Sequence, residues 1–155
     1  MKRIGILLTA ILLSAGLQAA AGTTTGQPSH SQQTFFNRFR TAVLGENTAQ
    51  IIELTHPASL QCVPREDRRV YYSRIMDGLV RILGHSQTLK SLRIKPVGKD
   101  ELRQITAVHA QMTWPVKPDE KMIVTFEKKG RENVTNLYIA RDRDEWKWVH
   151  ACAGH

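Results

Sequence analysis

The sequence predicts an α+β domain in which N-terminal helices pack on a curved, cone-like antiparallel sheet. Three observations predict it. Between residues 32 and 83 apolar side chains recur at intervals of three and four, the period of an amphipathic helix. After residue 100 four runs are rich in β-branched and aromatic residues: Gln104–Trp114, Lys121–Lys128, Asn133–Ala140 and Glu145–Ala151. The gaps between them are short and carry turn chemistry (Pro115 to Asp119, Lys129-Gly130-Arg131, Arg141 to Asp144), which favours hairpins over parallel crossovers.

The chain opens on an export leader. Lys2 and Arg3 precede an apolar run, Ile4–Leu17, and Ala19 to Ala21 form a small-residue cleavage site, with cleavage expected after Ala21. The apolar run is short for a spanning helix, which needs about 20 apolar residues, so no stable membrane insertion is expected after cleavage. No cysteine stands at the cleavage site, which argues against a lipid anchor. The leader places the protein in a bacterial periplasm, with secretion as the alternative. Residues 22–32 are polar and rich in Gly, Ser and Thr, and read as a flexible segment. Residues 33–155 then form one domain.

The full chain carries a net charge of +8, and losing the leader removes two basic and no acidic residues, leaving +6. Its basic residues are scattered and do not alternate with aromatics, so no nucleic-acid footprint is present. Cys62 and Cys152 are the two cysteines. In an oxidising compartment such a pair is most simply a disulfide. His150, Cys152 and His155 crowd together, but H-x-C-x-x-H matches no standard zinc pattern, and no metal or other cofactor is expected.

The elements follow in order. The first helix runs from about Gln32 to Leu44, with Phe35, Phe36, Phe39, Ala42 and Val43 on one stripe and Gly45 as its stop. Asn47-Thr-Ala-Gln50 resembles a capping box opening a short helix, Thr48–Thr55, which His56-Pro57 ends. Cys62-Val-Pro64 connects to a longer helix from Arg65 to Leu83, whose inner arc is Tyr72, Ile75, Met76, Leu79, Ile82 and Leu83; Val70 and Asp77 point away. Thr88–Val97 is a strand, and Pro96 argues that it lies at an edge.

Alternation then sorts the sheet by face. Trp114, with Thr106, Val108, Ala110 and Met112, is expected to face the helices, as are Met122, Val124 and Phe126, then Leu137 and Ile139. A bridge from Cys62 would turn Cys152 inward, and Trp146, Trp148 and His150 with it. The expected lining of a small apolar pocket is therefore Tyr72, Trp114, Phe126, Trp148 and His150, with Tyr72 and His150 as its polar handles.

The stretch FFNRFRTAVLGENTAQIIELTHPASL, residues 35–60, together with the closing Trp146-Lys-Trp-Val, resembles the nuclear transport factor 2-like superfamily (SnoaL-like, cystatin-like cone). The long helix departs from that layout by following the second helix directly, with no small strand between. The resemblance implies the cone-like fold, but it does not select a function, because members include isomerases, dehydratases, epoxide hydrolases, secretion-apparatus subunits and binding modules. Enzymes of that layout tend to place an Asp or His and a Tyr inside the cone. Here every acidic residue is expected in a turn or on an outward face, which counts against proton chemistry.

The sequence therefore favours a non-catalytic binding or interaction domain, whose partner is a small apolar ligand or an envelope protein, with a homodimer also open. The alternative is a small isomerase or hydrolase using His150 as base beside Tyr72. A third reading docks an acidic partner on the basic helix face of Arg65, Arg68, Arg69 and Arg81.

Overall fold

A computed structural model describes residues 25–85, 87–108 and 112–153. The segment expected to be an export leader lies outside the described residues, as do His109, Ala110, Gln111 and His155. The described residues form five helices and six strands: α1 (His30–Leu44), α2 (Thr48–Leu54), α3 (Pro57–Leu60), α4 (Arg68–Leu83), β1 (Thr88–Pro96), α5 (Lys99–Val108), β2 (Met112–Thr113), β3 (Glu120–Lys128), β4 (Arg131–Asp142), β5 (Glu145–Val149) and β6 (Cys152–Ala153). The helices pack on an open antiparallel sheet of order β1-β3-β4-β5, an α+β fold. β2 and β6 pair separately as a short ribbon.

The helical layer starts earlier than its apolar stripe does. Ser29 caps α1 by accepting from the Gln32 backbone, and the Gln32 side chain accepts from Ser29 in return. That reciprocal pair satisfies two orphan amide groups of the first turn. Gly26, within the segment expected to be flexible, is bridged to Ile94 of β1. Asn47 caps α2, and His56 ends that helix and opens α3, its Nδ1 accepting from the Ala58 backbone. α4 begins three residues later than the sequence suggests, at Arg68. Gly84 stops it where a Cβ would collide with the Val80 carbonyl.

One face of the sheet meets these helices. Phe36, Phe39, Ala42 and Val43 of α1, Ile51 and Leu54 of α2, and Tyr72, Met76, Leu79 and Leu83 of α4 are buried against Leu92, Ile94, Met122, Val124, Leu137, Ile139 and Trp148. The inward assignments on β3 and β4 hold, and Pro96 does sit on an edge strand. The two-residue turn Lys129-Gly130 joins β3 to β4, with both residues at positive φ (50° and 74°), a conformation glycine adopts without steric cost.

The largest departure is the run Gln104–Trp114. Its first part belongs to α5, and Met112–Thr113 is a strand paired with Cys152–Ala153 outside the main sheet. Leu102, Ile105 and Val108 recur at helical spacing, and Asp100 and Glu101 suit the positive end of a helix. Those signals outweigh the β-branched composition that suggested a strand. The face assigned to residues 105–111 concerns side chains outside the described set. Met112 is exposed rather than inward. Glu101 of α5 bonds Lys121 and Tyr138, which alternate away from Met122 and Leu137, so α5 covers part of the outer face. Ala140 and Val149 on that face are buried accordingly.

The Cys62–Cys152 disulfide is present and joins the end of α3 to β6 across 90 residues. Closing a loop of that size restricts the unfolded chain and is worth about 4 kcal/mol. Replacing both cysteines by serine should lower unfolding stability by that order, measured by urea denaturation; an unchanged midpoint would contradict it.

Candidate functional site

Three of the expected lining residues come together. Tyr72 of α4 is fully buried and its hydroxyl lies 2.7 Å from His150 Nε2. His150 Nδ1 lies 3.0 Å from the Ala151 carbonyl, an acceptor, so Nδ1 carries the proton and Nε2 receives the Tyr72 hydroxyl. Trp148 packs beside both, its ring 5.1 Å from His150 and 6.5 Å from Tyr72. Tyr71 completes the cluster at 6.0 Å from the imidazole.

The backbone is held as firmly as the rings. Ser59 Oγ donates to the His150 carbonyl at 3.1 Å and accepts from its N–H at 3.3 Å. Arg68 Nε donates to the carbonyls of Leu60 and Val63, fixing the α3–α4 connector around Cys62. These bonds turn the chain away from the sheet after Val149. His150 therefore does not continue β5 as alternation predicted, although its ring still meets the helices.

Both groups are shifted toward their neutral forms. Burial pushes the Tyr72 phenol far above its ordinary value, with Tyr71 adding to the effect. Burial also holds the His150 imidazole below the usual histidine range, opposed by the bond to Ala151. A neutral imidazole is a competent base in principle, but its free lone pair is already occupied by Tyr72. The phenol is a very weak acid and is closed off from solvent. The arrangement acts as a satisfied polar pair inside an aromatic cluster.

The other two expected lining residues lie elsewhere. Trp114 packs its ring 5.1 Å from Tyr138 on the outer face, and its buried Nε1 has no hydrogen-bond partner among the described residues. Its inward assignment was counted through residues that form a helix, where alternation has no meaning. Phe126 faces inward but at the far end of the sheet, beside Leu83, Gln87 and Val124 around a space of only about 10 Å³. That volume is at the limit for a single water.

Two carboxylates are more enclosed than the sequence suggested. Glu101 Oε1 accepts from Lys121 at 2.7 Å and from the Tyr138 hydroxyl at 3.0 Å, and burial with that bond pushes the Tyr138 phenol up to about 12. Glu120 takes a hydrogen bond from the buried Gln32 side chain, and burial raises its carboxyl pKa. It ties β3 to the start of α1.

A wide open feature lies on the surface. A groove of about 850 Å³ separates the start of α2 from the outer side of α4, lined by Asn47, Ala49, Ile52, Arg69, Val70 and Arg74, with Glu46 and Asp77 toward one end. Val70 is 55% exposed, the apolar exception on an otherwise polar helix face. Among the described residues Arg65, Arg69 and Arg74 have no carboxylate at ion-pair distance. Arg68 and Arg81, also expected on a docking face, bond backbone carbonyls through Nε. The sequence marked Val70 as pointing outward; Arg74, one turn further along, carried no separate signal.

Among the described residues no group of three or more His, Cys, Asp or Glu side chains could hold a metal ion, and no helix is long and apolar enough to cross a membrane. No family model, curated protein or solved structure matches the chain.

Tyr72→Phe should cost about 1–3 kcal/mol, because Nε2 loses its donor inside the fold. Since the native imidazole binds a proton less readily than the unfolded one, His150 contributes full stability above about pH 6.5, its unfolded value. That contribution falls as the pH drops through this value toward the lower native pKa. His150→Gln should remove this acid-side loss, read as the difference between wild-type and variant urea midpoints from pH 7.5 to 5, which cancels the opposing effect of Glu120.

Proposed function

We propose that the chain is an exported, non-catalytic interaction domain that takes an acidic segment of a partner protein in the groove between α2 and α4. The observation that carries this reading is the groove itself: an apolar floor of Ala49, Ile52 and exposed Val70 beside two guanidinium groups, Arg69 and Arg74, that form no ion pair among the described residues. Arginine forks suit carboxylates, and a basic rim around an apolar centre fits an acidic segment carrying an apolar anchor. The net positive charge of the chain would add long-range attraction for such a partner.

Two other readings have less support. A ligand pocket inside the cone needs open volume, whereas Phe39, Tyr72 and Trp148 fill the space between the helices and the end of β5. An isomerase or hydrolase using His150 needs a substrate to reach Nε2, which the fully buried Tyr72 hydroxyl occupies. Membership of the nuclear transport factor 2-like superfamily remains part of the proposal, supported by the order of two helices, His56-Pro57, a longer helix and a sheet. Periplasmic location, with secretion as the alternative, is likewise proposed; the disulfide suits an oxidising compartment and the leader pattern supplies the route.

The reading is tested by titrating the disulfide-bonded protein with an Asp/Glu-rich peptide bearing one leucine, followed by amide chemical shifts. Shifts should concentrate at Ala49, Ile52, Val70 and Arg74. The double variant Arg69→Glu, Arg74→Glu should lose binding at least tenfold, and raising salt to about 1 M, where the Debye length is about 3 Å, should weaken the wild type. Binding elsewhere on the surface, or binding unaffected by the double variant, would refute it.

A further inference from the structure

The two edges of the main sheet are finished differently. On β1, Gly26 exchanges two backbone hydrogen bonds with Ile94, at 2.8 and 2.9 Å, and so closes that edge midway. On the opposite side β5 pairs only with Tyr138–Asp142 of β4. Among the described residues no strand lies beside residues 131–137 of β4 on that side.

Which backbone groups point there follows from alternation. Successive residues of a strand aim their N–H and C=O groups to opposite sides. Asp119, just before β3, accepts the Arg141 N–H on its side chain at 2.9 Å and donates its own N–H to the Ile139 carbonyl at 3.0 Å. The odd-numbered residues of β4 therefore address β3. Tyr138, Ala140 and Asp142 address β5, and Glu132, Val134 and Asn136 present their backbone groups to the vacant side. All three residues are exposed, and Val134, at 63%, is more exposed than Val70 or Met112.

The vacancy has a cause in the fold. The chain beyond Val149 would run beside Asn136 if it continued straight, but Ser59 clamps His150 and the disulfide draws Cys152 toward α3. An unpaired edge of this kind is a template for another extended strand.

We propose that this edge pairs with the same edge of a second copy, antiparallel about a twofold axis at Val134. The edge complements itself. Three outward residues form a set with Val134 at its centre, so Val134 meets its twin while Glu132 meets Asn136 at both ends. Each facing pair exchanges two backbone hydrogen bonds, about six in all. The charges fit: the Glu132 carboxylate faces the Asn136 amide, Asn133 faces Thr135, Arg131 faces Leu137, and no like charges stand opposite one another. The exposed valine is covered by its counterpart. An occupant with an unrelated strand would have no such reason to centre on Val134.

The contact is narrow, below the roughly 1,200 Å² of stable complexes, so its dissociation constant is on the order of 100 μM. Because both copies are basic, added salt should strengthen it, the opposite of what docking an acidic segment at α4 requires.

Sedimentation equilibrium of the disulfide-bonded protein from about 10 μM to about 1 mM tests the proposal. The wild-type weight-average mass should rise toward twice the monomer value. Val134→Pro removes an outward N–H without touching the β3 ladder, and Val134→Lys sets two ammonium groups face to face; both should stay monomeric with unchanged circular dichroism. If the proline variant fails to fold, the lysine variant decides. A wild type that stays monomeric throughout, or an association that the folded variants retain, overturns the proposal.

Discussion

The indole of Trp148 is where the layers of this protein are joined. It meets Phe39 of α1 at 5.4 Å and Tyr72 of α4 at 6.5 Å, and the carbonyl of the same residue accepts the His56 N–H at the end of α2. One residue near the end of β5 thus touches all three long-range neighbours of the helical layer. Edge-to-face aromatic packing adds about 0.5–1.5 kcal/mol per pair to the area it buries, and it fixes angles as well as distances. The helices cannot slide along the sheet without breaking it.

That junction also decides the chemistry. Burial shifts the histidine, placed against three aromatic rings, toward its neutral form, and shifts the phenol opposite it the same way. Desolvation often tunes a catalytic group, but here it acts on two groups that already satisfy each other. The polar pair fixes which way the terminal segment turns, and the aromatic rings fill what would have been a cavity. The proposed docking surface accordingly lies outside the helices, where Val70, Arg69 and Arg74 face water.

Much of this was legible from residue order. The stripe Phe35, Phe36, Phe39, Ala42, Val43 could only be one face of a helix, and Tyr72, Met76, Leu79, Leu83 likewise, because their burial follows from spacing alone. Met122, Val124 and Phe126 alternate cleanly and face as expected. The failures share a physical origin. Residues 104–108 contain β-branched side chains that suit a strand, yet propensity is a weak prior, and Asp100, Glu101 and the three-residue spacing carried the helix. Trp114 went to the wrong face as a direct result. Phe126 shows a different limit: alternation names the face of a strand residue but not its position along the sheet, so Phe126 and Trp148 could share a layer without sharing a site. Tyr72 and His150 were both singled out, and they meet where the disulfide, itself expected from two cysteines behind an export-like leader pattern, sets the course of the terminal segment.

The separation of Cys62 and Cys152 has a temporal meaning as well. A ribosome releases Cys62 long before Cys152 exists, so the earlier thiol waits while α4 and nearly the whole sheet are made. In the unfolded chain their encounter requires closing a loop across 90 residues, whereas packing of α3 against the end of β5 holds the two positions side by side. Once formed, the covalent tie keeps the last few residues where Ser59 and the aromatic seam hold them.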